Sequence, residues 1–272
     1  EALPYIQRFR DASIVVKFGG STMDRREHFE SILTDVTFME CVGMNPVIVH
    51  GGGKAISRAM EAAGLKARFV RGLRVTDADT IRVVEEVIRH QINRDIVDTL
   101  RAQGASARGI DGTEIFRVEK RVGRDEATGE ALDWGFVGEI VEVDPEPIEV
   151  YLKAHVIPVV TPLGRGRDDK TYNLNADDAA AAVAKAIRAR KLAFLSDIPG
   201  LLRDRNDESS LLSTLRISEV AALIEQKVID GGMLPKIRSC MEALAAGVKK
   251  IHIIDGRLTH SLLLEIFTDQ GV

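Results

Sequence analysis

Two lysines, an aspartate and several glycine-rich turns are spaced to receive phosphate and carboxylate groups. The apolar run Ile14-Val15-Val16 leads into Lys17-Phe18-Gly19-Gly20-Ser21, and Val47-Ile48-Val49 leads into His50-Gly51-Gly52-Gly53-Lys54. Each reads as a short buried strand that ends in glycines and enters a helix. Glycine allows positive φ and close backbone approach. A helix N-terminus offers unpaired N–H groups and a partial positive charge. Two such turns on neighbouring strands form one anion-binding floor, with Lys17 pointing into it. A glycine pair after a strand is also an ordinary tight turn, so the case rests on two of them at matching places. Neither fits the Walker spacing, and no G-x-G-x-x-G follows the first strand, which argues against a dinucleotide fold.

Further candidates lie downstream. In Gly72-Leu73-Arg74-Val75-Thr76-Asp77, Arg74 offers a planar fork suited to a carboxylate; the plainer alternative is a surface salt bridge. Asn173-Leu174-Asn175-Ala176-Asp177-Asp178 precedes an alanine-rich helix. N-capping accounts for one of these polar residues, not for four in six positions. Asp177 is placed to organise lysines or a metal. Ser196-Asp197-Ile198-Pro199-Gly200 follows another apolar run and reads as a ligand-binding turn at the carboxyl end of a parallel strand. Gly231-Gly232-Met233-Leu234-Pro235-Lys236 opens a helix, where a lysine is electrostatically unfavourable as structure alone.

The elements that must position these residues alternate. Strands are expected at Ile14–Val16, Val47–Val49, Val156–Val160, Leu192–Leu195 and Ile251–Ile254, with helical patterns between them. Asp77–Arg101 carries Ile81, Val84, Ile88, Ile92 and Ile96 on one face, with Thr76 or Asp77 as cap. Ala176–Ala189, Ser218–Gln226 and Lys236–Ala246 are further helices. This alternation predicts an α/β fold with a mostly parallel sheet covered on both faces. Arg108–Val143 reads as hairpin structure with turns at Asp111-Gly112 and Thr128-Gly129, a flap at the sheet edge. Leu163–Tyr172 reads as a surface loop joining two lobes. Leu3, Ile6 and Phe9 lie at helical spacing in a segment too short to stand alone.

Composition narrows the class. The 272 residues are 45% hydrophobic and 29% charged, within the globular range. The net charge of −4 argues against general nucleic-acid binding. Cys41 and Cys240 lack a second ligand nearby in sequence and read as thiols in a reducing compartment. No apolar run reaches the ~18 residues of a membrane span, so a cytoplasmic, membrane-free protein is expected.

The order VVKFGGS, VIVHGGGK, GLRVTD, YNLNADDAA, LSDIPGLL, GGMLPK and HIIDGR resembles the amino acid kinase family over nearly the whole chain. Within that family it is similar to the branch that phosphorylates N-acetyl-L-glutamate. The resemblance implies a three-layer αβα sandwich with a helix for oligomerisation over 1–11, an acceptor-binding and dimerising lobe over 12–170, and an ATP lobe over 171–272. It implies Lys17 and Lys236 as catalytic lysines, with Asp177 holding both. Gly19, Gly20, Gly52 and Gly53 would give N–H groups to substrate and phosphates. Arg74 and Asn173 would bind the α-carboxylate end of the acceptor. Asp197–Leu202, including Gly200, and Val228–Asp230, including Ile229, would line the ATP site. Mg²⁺ would be held mainly by the nucleotide, with no dedicated protein metal site.

The amino end, ALPYIQRF, resembles the extra helix of arginine-inhibited members, which form trimers of dimers. An L-arginine site would lie near Tyr5, His252, Glu265 and Gly271. A PII-type signalling protein is a further candidate partner. The segment ARGIDGTEIFRVEK departs from the family's small-residue pattern at the flap. Two alternatives stand beside this reading: a kinase of N-acetyl-aminoadipate, and a non-catalytic regulatory subunit of the same fold. His50 reads as structural rather than as a proton shuttle.

Overall fold

The β-branched runs pair side by side, because each is apolar on both faces and needs cover on both. In chain order the strands are β1 (Ser13–Phe18), β2 (Asn45–His50), the two-residue β3 (Phe69–Val70) and β4 (Leu73–Arg74), β5 (Ala107–Ile110), β6 (Phe116–Arg124), β7 (Ala131–Val143), β8 (Ile157–Val160), β9 (Leu163–Gly166), β10 (Thr171–Asn173), β11 (Lys191–Ser196) and β12 (Lys250–Asp255). Six form one continuous sheet in the order β12-β11-β1-β2-β8-β5, every neighbouring pair parallel. The structure, a computed structural model, describes residues 7, 9–124, 129–204, 206–231 and 233–267. Most of the expected 1–11 helix therefore lies outside the described residues. Phe9 is buried, beneath the charged ends of Arg190 and Lys191.

The helices are α1 (Arg26–Cys41), α2 (Gly53–Ala62), α3 (Ala78–Glu85), α4 (Arg94–Ala102), α5 (Gly112–Ile115), α6 (Glu146–Lys153), α7 (Ala176–Ala186), α8 (Ile217–Glu225), α9 (Met233–Ala245) and α10 (Ser261–Phe267). Strand alternation sends Ile14, Val16 and Phe18 into a core shared with α1, α2, α3, α4 and α10. Val15, Val47 and Val49 enter the opposite core, with α7 and residues of α6 and α9. The result is the three-layer α/β sandwich expected. The alanines of α7 allow its backbone to lie close to the sheet. A small third core joins Leu201, Val220, Leu223, Ile229 and Ile237. Among the described residues no helix is long and apolar enough to cross a membrane.

Between α3 and α4 the chain widens into a π-helical segment, Glu86–Asn93. The long helix expected over Asp77–Arg101 is thus three segments, with Asp77 capping the first through Thr80 N–H. Steps of four residues drift by about 40° each on an ideal α-helix. The run Val84, Ile88, Ile92, Ile96 makes three such steps, and the wider turn keeps all four buried.

Two expectations give way to strand structure. Leu163–Tyr172 is not a surface loop: it forms β9 and β10, antiparallel, and they close a four-stranded barrel with β6 and β7. Its glycines are strand positions emptied for neighbours. A Cβ at Gly164 would lie 2.4 Å from Val118 Cγ1, and one at Gly166 2.4 Å from Tyr172 Cε2. Asp111-Gly112 is not a hairpin turn either. Asp111 caps α5 through Thr113 N–H, and Gly112 packs against the carbonyls of Thr161 and Leu163.

Candidate active site

The two glycine turns meet backbone to backbone. Phe18 stands opposite His50 in register, and Gly51 N–H donates to Phe18 O at 2.8 Å. A Cβ on Gly19 would lie 2.9 Å from Gly51 Cα, so only glycine permits this approach. Thr22, fully buried, donates its hydroxyl to Gly19 O at 2.9 Å and pins the first turn. Gly52 opens α2 with no side-chain cap, leaving the helix's first N–H groups available. Both turns lie at the carboxyl ends of parallel strands, where open α/β sheets bind ligands.

A cavity of about 240 Å³ opens there, lined by Lys17, Gly19, Gly20, Gly51, Gly52, Gly53, Arg74, Asn173 and Asp177 among others. Arg74 is 6% exposed. Its Nη2 donates to Gly53 O and Ser57 Oγ, both at 2.8 Å, and its Nη1 to Met60 Sδ at 3.2 Å. Its guanidinium lies 4.7 Å from the centre of the Phe69 ring. Burial lowers its pKa, yet guanidinium stays protonated in proteins. Among the described residues no carboxylate pairs with it, which excludes the surface salt bridge. A buried cation with no counter-charge favours an anionic guest. Asn173, on β10, donates to Thr76 Oγ1 at 3.5 Å and faces the same cavity.

Asp177 sits in the first turn of α7 between two ammonium groups. Lys17 Nζ is 2.8 Å from Oδ1 and Lys236 Nζ is 2.6 Å from Oδ2. Burial opposes ionisation of Asp177, but the charges of Lys17 and then Lys236 outweigh it and hold the carboxyl below its usual range. Burial lowers the pKa of Lys236 in turn, against the pull of Asp177. Lys236 also lies 4.8 Å from the Phe194 ring centre. One carboxylate against two lysines leaves a positive excess where a transferring phosphoryl group would need it. Helix α9 begins at Met233, so Lys236 lies within its first turn rather than at its start.

The remaining expected residues fall elsewhere. Asp197 is exposed after β11, and Gly200 is buried at φ 140°. Leu202 bridges to Leu211, and Ile229 is 1% exposed in the third core, so its side chain faces no ligand. Val228 and Asp230 are half-buried just before α9. None of these residues lines the 240 Å³ cavity. His252 on β12 is buried and hydrogen-bonded to Glu265 on α10, with burial lowering its pKa. Tyr5, Gly232 and Gly271 lie outside the described residues. Burial pushes the Cys240 thiol up to about 12, which leaves no reactive thiolate there.

Sequence reasoning missed Thr22, Ser57, Met60, Phe69 and Asn93. Only Asn93 carried a signal: a polar residue beside the apolar stripe of a helix whose steps had widened.

The chain belongs to the amino acid kinase family, whose signature matches residues 12–255. It is 46% identical over 277 residues to an acetylglutamate kinase of Heliobacterium modesticaldum, covering 100% of this chain and 94% of that one. The acetylglutamate kinase of Methanobrevibacter smithii is 45% identical over 278 residues, covering 100% of this chain and 95% of its own. Among solved structures, N-acetylglutamate synthase of Neisseria gonorrhoeae, in complex with coenzyme A and N-acetyl-glutamate, superposes with a TM-score of 0.86 at 27% identity. This chain is covered in full there and spans 61% of the synthase chain. An isopentenyl phosphate kinase shares the fold, with a TM-score of 0.63, 17% identity and coverage of 93% and 95% of the two chains.

Proposed function

We propose that this chain transfers the γ-phosphoryl group of ATP to the side-chain carboxylate of N-acetyl-L-glutamate, giving N-acetylglutamyl 5-phosphate for arginine biosynthesis. The observation that carries the reading is Asp177 held between Lys17 and Lys236 at the cavity that also contains Arg74, beside which no carboxylate lies among the described residues. The acceptor carboxylate is ionised at neutral pH, its reference pKa being about 4.3. No general base is needed, in keeping with a site whose neighbouring histidine, His50, is fully buried. The difficulty is bringing two anions together and stabilising charge on the equatorial phosphoryl oxygens. Lys17 and Lys236 do the latter, positioned by Asp177. Arg74 and Asn173 take the α-carboxylate end of the acceptor, and Gly52 and Gly53 give it N–H donors.

Gly19 and Gly20 meet the phosphates. Asp197, Gly200, Leu202, Val228 and Asp230, with the backbone of Ile229, form the nucleotide side. This divides the chain into an acceptor part over 12–170 and a nucleotide part over 171–272. Among the described residues no cluster of three or more His, Cys, Asp or Glu stands ready to hold a metal. Both carboxylate oxygens of Asp177 face lysines. With Asp177 engaged by Lys17 and Lys236, Mg²⁺ would be carried on the nucleotide phosphates, where it would neutralise charge on the β- and γ-oxygens.

A coupled ATP-to-ADP assay with N-acetylglutamate and N-acetyl-aminoadipate tests the reading. Faster turnover of the shorter acceptor is expected. Equal or faster turnover of the longer one overturns the acceptor assignment, and no turnover with either overturns the kinase reading.

Feedback by L-arginine and assembly as a trimer of dimers belong to the same proposal. They are supported by the hydrogen-bonded pair of buried His252 and Glu265 and by the apolar amino-terminal pattern. Sedimentation velocity and an arginine titration on the chain with and without residues 1–10 test this. Loss of both the large assembly and inhibition is expected on deletion; an unchanged deleted form removes the segment from either role.

A further inference from the structure

His50 ends β2 with no exposed surface, and both its ring nitrogens are engaged. Nδ1 lies 3.1 Å from the Gly51 carbonyl, and Nε2 lies 3.1 Å from Asn93 Nδ2. A carbonyl only accepts, so Nδ1 carries the hydrogen and donates. Nε2 is then a lone pair, accepting from the Asn93 amide. The Asn93 amide nitrogen also donates to Val159 O at 2.9 Å. Its Oδ1 faces β5, where a Cβ on Gly109 would lie 2.3 Å away. Asn93 is thus locked between β2, β8 and β5, and it dictates the tautomer and orientation of His50.

Gly51 is held at both backbone groups: its N–H donates to Phe18 O at 2.8 Å and its carbonyl accepts from His50. In a trans peptide the C=O and the following N–H point in opposite directions. Tying Gly51 O inward to His50 therefore turns Gly52 N–H outward, to the side that the cavity occupies. The π-helical segment that ends at Asn93 holds Gly52 as well. A Cβ on Gly52 would meet Ile88 Cδ1 at 2.6 Å and Ile92 Cδ1 at 2.8 Å. Three residues of one widened turn thus hold the second glycine turn, and such turns recur at functional sites.

We propose that Asn93 and His50 are positioning residues that fix the Gly51–Gly52 peptide so that its N–H binds the anionic acceptor. The proposal rests on the kinase reading above for the identity of that acceptor. Neither side chain touches substrate; both act through the peptide.

The test compares His50→Leu, His50→Asn and Asn93→Leu with the unaltered chain. It measures both KM values and calorimetric binding of N-acetylglutamate without ATP. The amide nitrogen of asparagine reaches the position of His Nδ1, so His50→Asn keeps the donor to Gly51 O. We expect His50→Leu and Asn93→Leu to weaken acceptor binding and raise its KM by about 10-fold or more, since small misplacements at a site are costly. The KM for ATP should move by less than about 2-fold, and His50→Asn should recover most of the acceptor affinity. Residues acting in series are non-additive, so combining His50→Leu with Asn93→Leu should be no worse than the worse single change. Equal rises in both KM values, or His50→Asn no better than His50→Leu, would leave the pair a purely structural role and overturn the proposal. If Asn93→Leu does not fold, the two His50 variants decide alone. An unaltered chain that neither binds nor phosphorylates N-acetylglutamate overturns the kinase reading instead, and the acceptor role with it.

Discussion

Asn175, not Asp177, caps helix α7: its Oδ1 accepts from Asp177 N–H at 2.8 Å and from Asp178 N–H at 3.1 Å. This division of labour frees the Asp177 carboxylate to hold Lys17 and Lys236. Asn175→Ala should destabilise the fold by about 1 kcal/mol. It should also lower kcat, because the Asp177 side chain would be drawn toward the vacant N–H groups. Asn175→Ser should retain most of both. Urea denaturation and steady-state kinetics check this; a loss of stability with unchanged kcat would separate the cap from the lysine pair.

Lys17→Ala and Lys236→Ala should each lower kcat by about 10²-fold or more, since removing one preorganised charge contact costs ~3–4 kcal/mol in the transition state. Each variant leaves Asp177 with one remaining lysine, so the fold should persist by circular dichroism. Near-normal kcat in both would reject the two-lysine mechanism.

Arg74→Lys should raise KM for the acceptor far more than KM for ATP. Lysine keeps the charge but loses the fork. It also loses the paired donation to Gly53 O and Ser57 Oγ that orients the guanidinium. Equal effects on both substrates would remove Arg74 from the carboxylate role.

His50 makes stability fall on acidification. Burial lowers its pKa from 6.5 to about 4, outweighing the Gly51 carbonyl. Above both values neither state binds the proton. As pH falls from the unfolded value toward the folded one, the unfolded chain takes a proton the folded chain refuses, and stability drops. Below the folded value both are protonated and the loss levels off. It amounts to about 3 kcal/mol at ~1.4 kcal/mol per pKa unit. Urea denaturation at several pH values should show a shallower slope for His50→Asn than for the unaltered chain; identical slopes would mean that His50 does not titrate as described.

How far the sequence reaches is clear from single elements. β1 and β2 are apolar on both faces and end in glycines, so strand, burial and turn are all local signals. The caps at Asp77 and Asn175 are local as well, and the alanines of α7 announce close packing. By contrast, β9 and β10 were hidden, because Gly164 and Gly166 look like loop residues until Val118 and Tyr172 fill the space beside them.

By itself the sequence determined the alternating α/β layers, the two glycine turns at strand ends and the basic residues beside them. Periodicity and positive-φ preferences act within a few residues, so they survive in a linear reading. The resemblance implied that Lys17 and Lys236 share Asp177, and the structure brings the three together. Only the tertiary structure decided that Arg74 is buried with no carboxylate beside it among the described residues, and that Asn93 reaches His50 from a π-helical turn. Those facts depend on which distant segments pack together and which polar groups water can no longer reach.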